Sequence, residues 1–184
     1  MPNIDLPQER IDAALPRVEK GLKSYTWLQA RCREVDVRCD QEFRRRFNGF
    51  YRVRRNQQWQ DAFYDLLETG KRRPIGFAEA LTGLNLRTGR CEASFASKLV
   101  ATLDPSRPVI DSFVLNNVGM RLPAQSHQSR MQATVDVYRR LTECLEAYLA
   151  SAPGQYLIMA FDLAYPSAGI SEMKKLDLTL WQAR

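Results

Sequence analysis

The sequence predicts an all-α domain, and three stretches carry that expectation. Between residues 57 and 69, Trp59, Phe63, Leu66 and Leu67 recur on one side of a helix. From Met131 to Leu149 the apolar positions Val135, Tyr138, Leu141, Leu145 and Leu149 keep a helical period. Between Arg90 and Leu103, Phe95, Leu99 and Leu103 do the same. A chain of 184 residues can bury a sizeable core, and residues 1–184 read as one domain without repeats or low-complexity segments.

The remaining elements follow in chain order. Residues 5–31 read as helix from Ile11, Ala14, Leu15, Val18 and Leu22, with Pro16 splitting it. Gly21 and Ser24-Tyr25-Thr26 suggest a join, after which Trp27 and Leu28 pack inward. Residues 32–56 concentrate positive charge, above all at Arg44-Arg45-Arg46 and at Arg52, Arg54 and Arg55. Phe43, Phe47, Phe50 and Val53 form an expected buried stripe there, which leaves the arginines as the exposed face. That face is either simply solvated or contacts phosphates through the planar guanidinium fork. Lys71-Arg72-Arg73, in the stretch Gly70–Pro74, forms a second basic loop with the same two readings.

Phe77, Ala80, Leu81 and Leu84 predict a helix that closes at Gly83 or just after. A short hairpin, Leu84-Asn85-Leu86-Arg87-Thr88-Gly89, is expected next, and then a helix from about Arg90 to Leu103. Asp104-Pro105 stops that helix, since a residue before proline is pushed out of the α region. Pro108-Val109-Ile110 is extended and apolar, and Asp111 stands just before a helix start at Ser112. An aspartate there caps the helix. A capping carboxylate is also held in a fixed position, as a reaction requires, so a catalytic role stays open beside the capping one. Farther on, Pro123–Ser129 is a polar loop carrying His127. The apolar run Tyr156–Phe161 fits helix or strand, and Leu176, Leu178 and Leu180 alternate as a strand would.

The net charge of +6 and the pI near 9.3 favour a polyanionic partner such as nucleic acid. Cys32, Cys39, Cys91 and Cys144 are scattered, and no zinc-type spacing accompanies the single His127. No metal, iron–sulfur cluster or other cofactor is expected. No apolar run approaches bilayer length, and Met1–Asp5 lacks the basic start and apolar stretch of a signal peptide. A cytoplasmic protein without membrane contact, nucleoid-associated if bacterial, is therefore expected, and a monomer is expected as well.

Three segments stand out as motifs: Gly89-Arg90-Cys91-Glu92-Ala93-Ser94, Val109-Ile110-Asp111 and Leu176-Asp177-Leu178-Thr179-Leu180-Trp181. In this order they resemble the helix-hairpin-helix DNA glycosylases, most closely the compact 8-oxoguanine DNA glycosylases of archaea and some bacteria. The resemblance covers the second half of the chain. It implies two helical lobes flanking a cleft, with the hairpin (about 77–115) and Asp111 at its mouth. It also implies a terminal helix capped by Asp177, in place of the strand that alternation suggests. Double-stranded DNA would be the partner, bound through Arg87, Thr88, Gly89 and Arg90 of the hairpin and through Arg44, Arg45, Lys71, Arg72 and Arg73. By position alone, Tyr165, Trp181 and Phe161 either line the pocket for a flipped base or belong to the core.

The sequence departs from the family at two points. Arg87 or Thr88 replaces the first hairpin glycine, and Cys91 holds the position of the catalytic lysine. The next lysine is Lys98, which is a displaced nucleophile, a phosphate contact or a solvated side chain. The resemblance thus implies a base-excision glycosylase acting through Asp111, monofunctional unless Lys98 reaches the sugar. The alternative is a relative that binds DNA and has lost the chemistry.

Overall fold

The computed structural model describes residues 4–124 and 129–183. Among them are ten α-helices and no strand. The loop position His127 lies outside the described residues. No described helix is long and apolar enough to cross a membrane.

Helix α1 (Gln8–Ala14) runs into a 3-10 turn (Leu15–Arg17), and α2 spans Glu19–Glu34. Pro16 marks the break, since it supplies no N–H to a continuous helix. The join expected near Gly21 is absent. Ser24 and Thr26 donate their hydroxyls to the carbonyls of Lys20 and Leu22, so neither competes for the backbone N–H groups that continue the helix.

Helices α3 (Gln41–Tyr51) and α4 (Gln57–Arg72) start at Asp40 and Asn56, whose side chains accept from the N–H groups of Phe43 and Trp59. Phe43, Phe47, Phe63 and Tyr64, each at most 1 % exposed, interlock as tilted and edge-on rings between these helices. The stripe is narrower than expected. Phe50 is only half-buried, and Val53 lies beyond the helix.

The hairpin differs in register from the sequence expectation. Helix α5 covers Phe77–Thr88, so Leu84–Thr88 continues the helix. Gly89, at φ 69°, ends it in the left-handed region that glycine enters without steric cost. Only Gly89–Glu92 form the turn, and α6 (Ala93–Leu103) begins three residues later than expected.

Helix α6 is buried on nearly all sides: Ala96 through Thr102 form one unbroken buried run. It packs against α4 and α5. Helix α7 (Ser112–Asn117) follows, then α8 (Arg130–Leu149), α9 (Ala152–Ala164) and α10 (Glu172–Gln182). The run Tyr156–Phe161 is thus helical, and so is the C-terminal Leu-Asp-Leu segment. The cap of α10 is Ser171, which accepts from the Lys174 N–H; Asp177 sits inside the helix. Helix α10 contacts α1, α7, α8 and α9, which brings the chain's last helix against its first.

Candidate active site

A cavity of about 960 Å³ opens between α2, the end of α3, α6, residues 109–113 and α10. Asp111 stands in its wall. The carboxylate accepts from the Phe113 N–H at 2.8 Å, so the expected N-cap is present.

Two serines tie the segment before Asp111 to α6. The Ser94 hydroxyl donates to the Ile110 carbonyl at 2.8 Å. The Ile110 N–H donates to the Ser97 hydroxyl oxygen at 2.8 Å, with both residues buried. Lys98 is the next residue along α6, so one short stretch of helix sets the position of both candidate groups.

Lys98 lines the same cavity and is 9 % exposed. Its ammonium donates to the Tyr51 carbonyl at 3.3 Å. It also lies 4.9 Å from the Phe95 ring centroid and 5.8 Å from that of Tyr51. Burial pushes its pKa below the ordinary lysine range, while the charges of Asp111 and Asp177 pull the other way and that of Lys174 adds to the fall. The solvated lysine of the sequence reading is therefore replaced by a buried amine facing a cavity.

A second lysine lies deeper. Lys174 is 5 % exposed and donates to Asp177 Oδ2 at 2.5 Å. The rings of Tyr25, Phe50 and Tyr51 surround its ammonium at 4.6, 5.6 and 5.8 Å. Burial, the largest single influence, opposes the charge, but the charge and hydrogen bond of Asp177 together with Tyr51 and Tyr25 outweigh it and hold the Lys174 pKa above the usual value.

Arg17, Lys20, Arg46 and Arg52, all exposed, contribute to the lining. Six cations and two carboxylates thus surround the space, which suits an anionic ligand. Among the described residues Arg17, Lys20 and Arg52 form no salt bridge, whereas Arg46 meets Glu42 at 2.7 Å. Arg52 ends α3 in the left-handed region at φ 53°, and its guanidinium lies 4.8 Å from the Trp181 ring centroid. Trp181 also meets Phe113 edge-on.

Several expected site residues fall elsewhere. Cys91 precedes α6, its Sγ is 3.5 Å from Thr134 Oγ1, and it does not line the cavity. Arg87, Thr88, Gly89 and Arg90 end α5 and begin the turn, with Arg87 3.6 Å from Asp65. Arg44 is turned inward, not outward: its guanidinium is paired with Asp61 at 2.6 Å and lies over Tyr64. Arg45 remains exposed.

Lys71 and Arg72 close α4 instead of forming a loop. Lys71 donates to Glu68 and to the Val35 carbonyl, at 2.7 and 2.6 Å, beside a separate cavity. Arg72 is exposed, and Arg73 pairs with Glu79. Tyr165 donates to the Leu15 carbonyl at 2.6 Å and does not reach the cavity, whereas Trp181 does.

Tyr51, Lys174 and the pairing of Asp177 are site features that reading the sequence misses. One signal was present: Lys98 interrupts the small and apolar run Ala93–Leu103, where a solvated lysine would be out of place. Lys174 and Asp177 also stand three apart on one helix, a spacing that favours a pair.

Among the described residues no group of histidine, cysteine, aspartate or glutamate could hold a metal ion. Comparison of the chain with protein-family models, curated proteins and solved structures finds no match.

Proposed function

We propose that this protein is a DNA base-excision glycosylase, related in its local motifs to the helix-hairpin-helix enzymes that remove 8-oxoguanine. One observation carries the reading: a cap-fixed Asp111 and a buried Lys98 amine face one cation-rimmed cavity large enough for a nucleotide.

Cleavage of the N-glycosidic bond sends its electron pair to the departing base and leaves positive charge on the sugar. Asp111 stabilises that charge, and the oxygen of a water molecule bonds to C1′ while one proton of that water passes to the departed base. Lys98 supplies the amine that Cys91 cannot. On the open-chain sugar its nitrogen bonds to C1′ while the carbonyl oxygen leaves as water with both amine hydrogens, forming an imine. This takes up the exception left open by the sequence, which implies a monofunctional enzyme unless Lys98 reaches the sugar. The exposed arginines and Lys20 at the mouth supply salt-dependent affinity without reading sequence.

Duplexes carrying a panel of modified bases, 8-oxoguanine among them, test the reading through base release. Asp111→Asn is expected to abolish release while DNA binding persists. Borohydride is expected to trap wild-type protein on abasic-site DNA but not Lys98→Ala. If the wild type binds DNA with a clear salt dependence yet releases no base from any duplex, the protein is instead a non-catalytic DNA-binding module.

A further inference from the structure

Two lysines meet at the Tyr51 ring, and they are not paired alike. Lys174 holds Asp177 directly, whereas Lys98 is hydrogen-bonded to a neutral carbonyl, that of Tyr51. Both ammonium groups stand 5.8 Å from the centroid of that ring. Asp177 is near enough for its charge to act on Lys98, and it lines the same cavity.

We propose that Lys174 is a positioning residue: by occupying Asp177 it keeps that carboxylate from capturing Lys98, and so leaves Lys98 available as a free amine. The proposal rests on the glycosylase reading only for the use made of that amine.

The charged surroundings of Lys98 support this assignment. From the segment before α7 comes Asp111, and from α10 come Asp177 and Lys174. Arg55, paired with Glu92 at 3.1 Å, shares the Phe95 ring with Lys98. From α3 the phenol of Tyr51 is buried and kept protonated by that burial. The remaining cations, Arg17 and Lys20 near the start of α2 and Arg46 and Arg52 at the end of α3, line the outer cavity and disfavour a further positive charge inside it. Asp177 is thus the carboxylate whose release would add to the pull of Asp111 in fixing a proton on Lys98, and Lys174 is what restrains it. An unprotonated lysine is the form that attacks a carbonyl carbon, and neighbouring cations are a known way of keeping one.

The test is a pH titration of the Lys98 side chain by NMR, with lysine carrying ¹³C and ¹⁵N labels. The Lys98 signal is identified by its loss in Lys98→Arg. In Lys174→Met the freed Asp177 is expected to turn to Lys98, moving its midpoint to higher pH and lowering the free amine at neutral pH by about threefold or more. Lys174→Arg is expected to restore the wild-type midpoint. Lys174→Met combined with Asp177→Asn leaves no orphaned charge to unfold the helix; its midpoint is expected at or below that of the wild type.

A midpoint in Lys174→Met that is unchanged or lower overturns the proposal, as does a midpoint in the double variant above that of the wild type. The double variant decides the matter by itself if Lys174→Met does not fold. No DNA enters the measurement, so a failed titration refutes the role of Lys174, whereas a failed base-release screen refutes the glycosylase reading alone.

Discussion

Replacing Ser97 with alanine removes the acceptor of the Ile110 N–H, a bond of 2.8 Å between two buried residues. Ser97 is 0 % exposed and Ile110 1 %, so water does not easily replace the lost oxygen. A buried donor left without a partner costs about 1–3 kcal/mol. The second bond of Ser97, from its hydroxyl to the Ser94 carbonyl at 2.9 Å, adds little, because that carbonyl lies within α6 and keeps its helical partner.

For a chain of this length the loss corresponds to a melting temperature lower by about 2–12 °C. Calorimetry measures it directly. Ser94→Ala is the control: its hydroxyl donates to the Ile110 carbonyl, but Ser94 is only half-buried, so its loss is expected to cost less. The argument makes a second demand. Since the Ile110 bond holds the segment that ends in Asp111, Ser97→Ala is expected to slow base release more than it weakens DNA binding. A Ser97→Ala protein within about 0.5 kcal/mol of wild type would show that the serine is not what fixes the segment.

Three further outcomes are expected. A β-carbon at Gly154 would run into the Tyr148 carbonyl and the Leu149 backbone where α8 meets α9, so Gly154→Ala is expected to cost about 3 kcal/mol or prevent folding, as denaturant titration would report. Lys174, whose folded pKa is raised above the usual 10.5, contributes stability that is fully present below that pH and is lost as the pH climbs beyond it; alkaline unfolding is expected to be blunted in Lys174→Met with Asp177→Asn. Arg17→Ala, Lys20→Ala and Arg52→Ala are each expected to weaken DNA binding and to lower the slope of log affinity against log salt by about 1, as fluorescence anisotropy at several salt concentrations would show.

Local patterns in the chain were strong enough to expose most of the helices and the cap at Asp111. The spacing of Trp59, Phe63, Leu66 and Leu67 marked α4, and all four are buried. Asp111 was legible because capping is a property of a few adjacent residues. The hairpin register was not: Gly83 and Gly89 bracket Leu84–Thr88 and mimic a turn, but Gly83 faces the Leu66 side chain inside the helix. Arg44 looked exposed beside Arg45 and Arg46, since nothing nearby in sequence reveals that Asp61 on the next helix draws it in. The spacing of Lys174 and Asp177 favours their pair, but its burial beneath Tyr25, Phe50 and Tyr51 depends on three helices meeting, which no single stretch encodes. The resemblance pointed to Cys91 as the lysine-equivalent position, yet the amine that lines one cavity with Asp111 belongs to Lys98, on the helix that follows the turn.

The position of α10 has a consequence for biosynthesis. Lys174, Asp177 and Trp181 form one wall of the cavity, and they leave the ribosome after every other residue that lines it except Leu178 and Gln182. A nascent chain that has yet to add residues 172–182 holds Lys98 and Asp111 with that side open, so the pocket comes into being only as translation passes this segment. Premature termination upstream of Glu172 would therefore release a protein without its nucleotide-sized chamber, however well the earlier helices had packed.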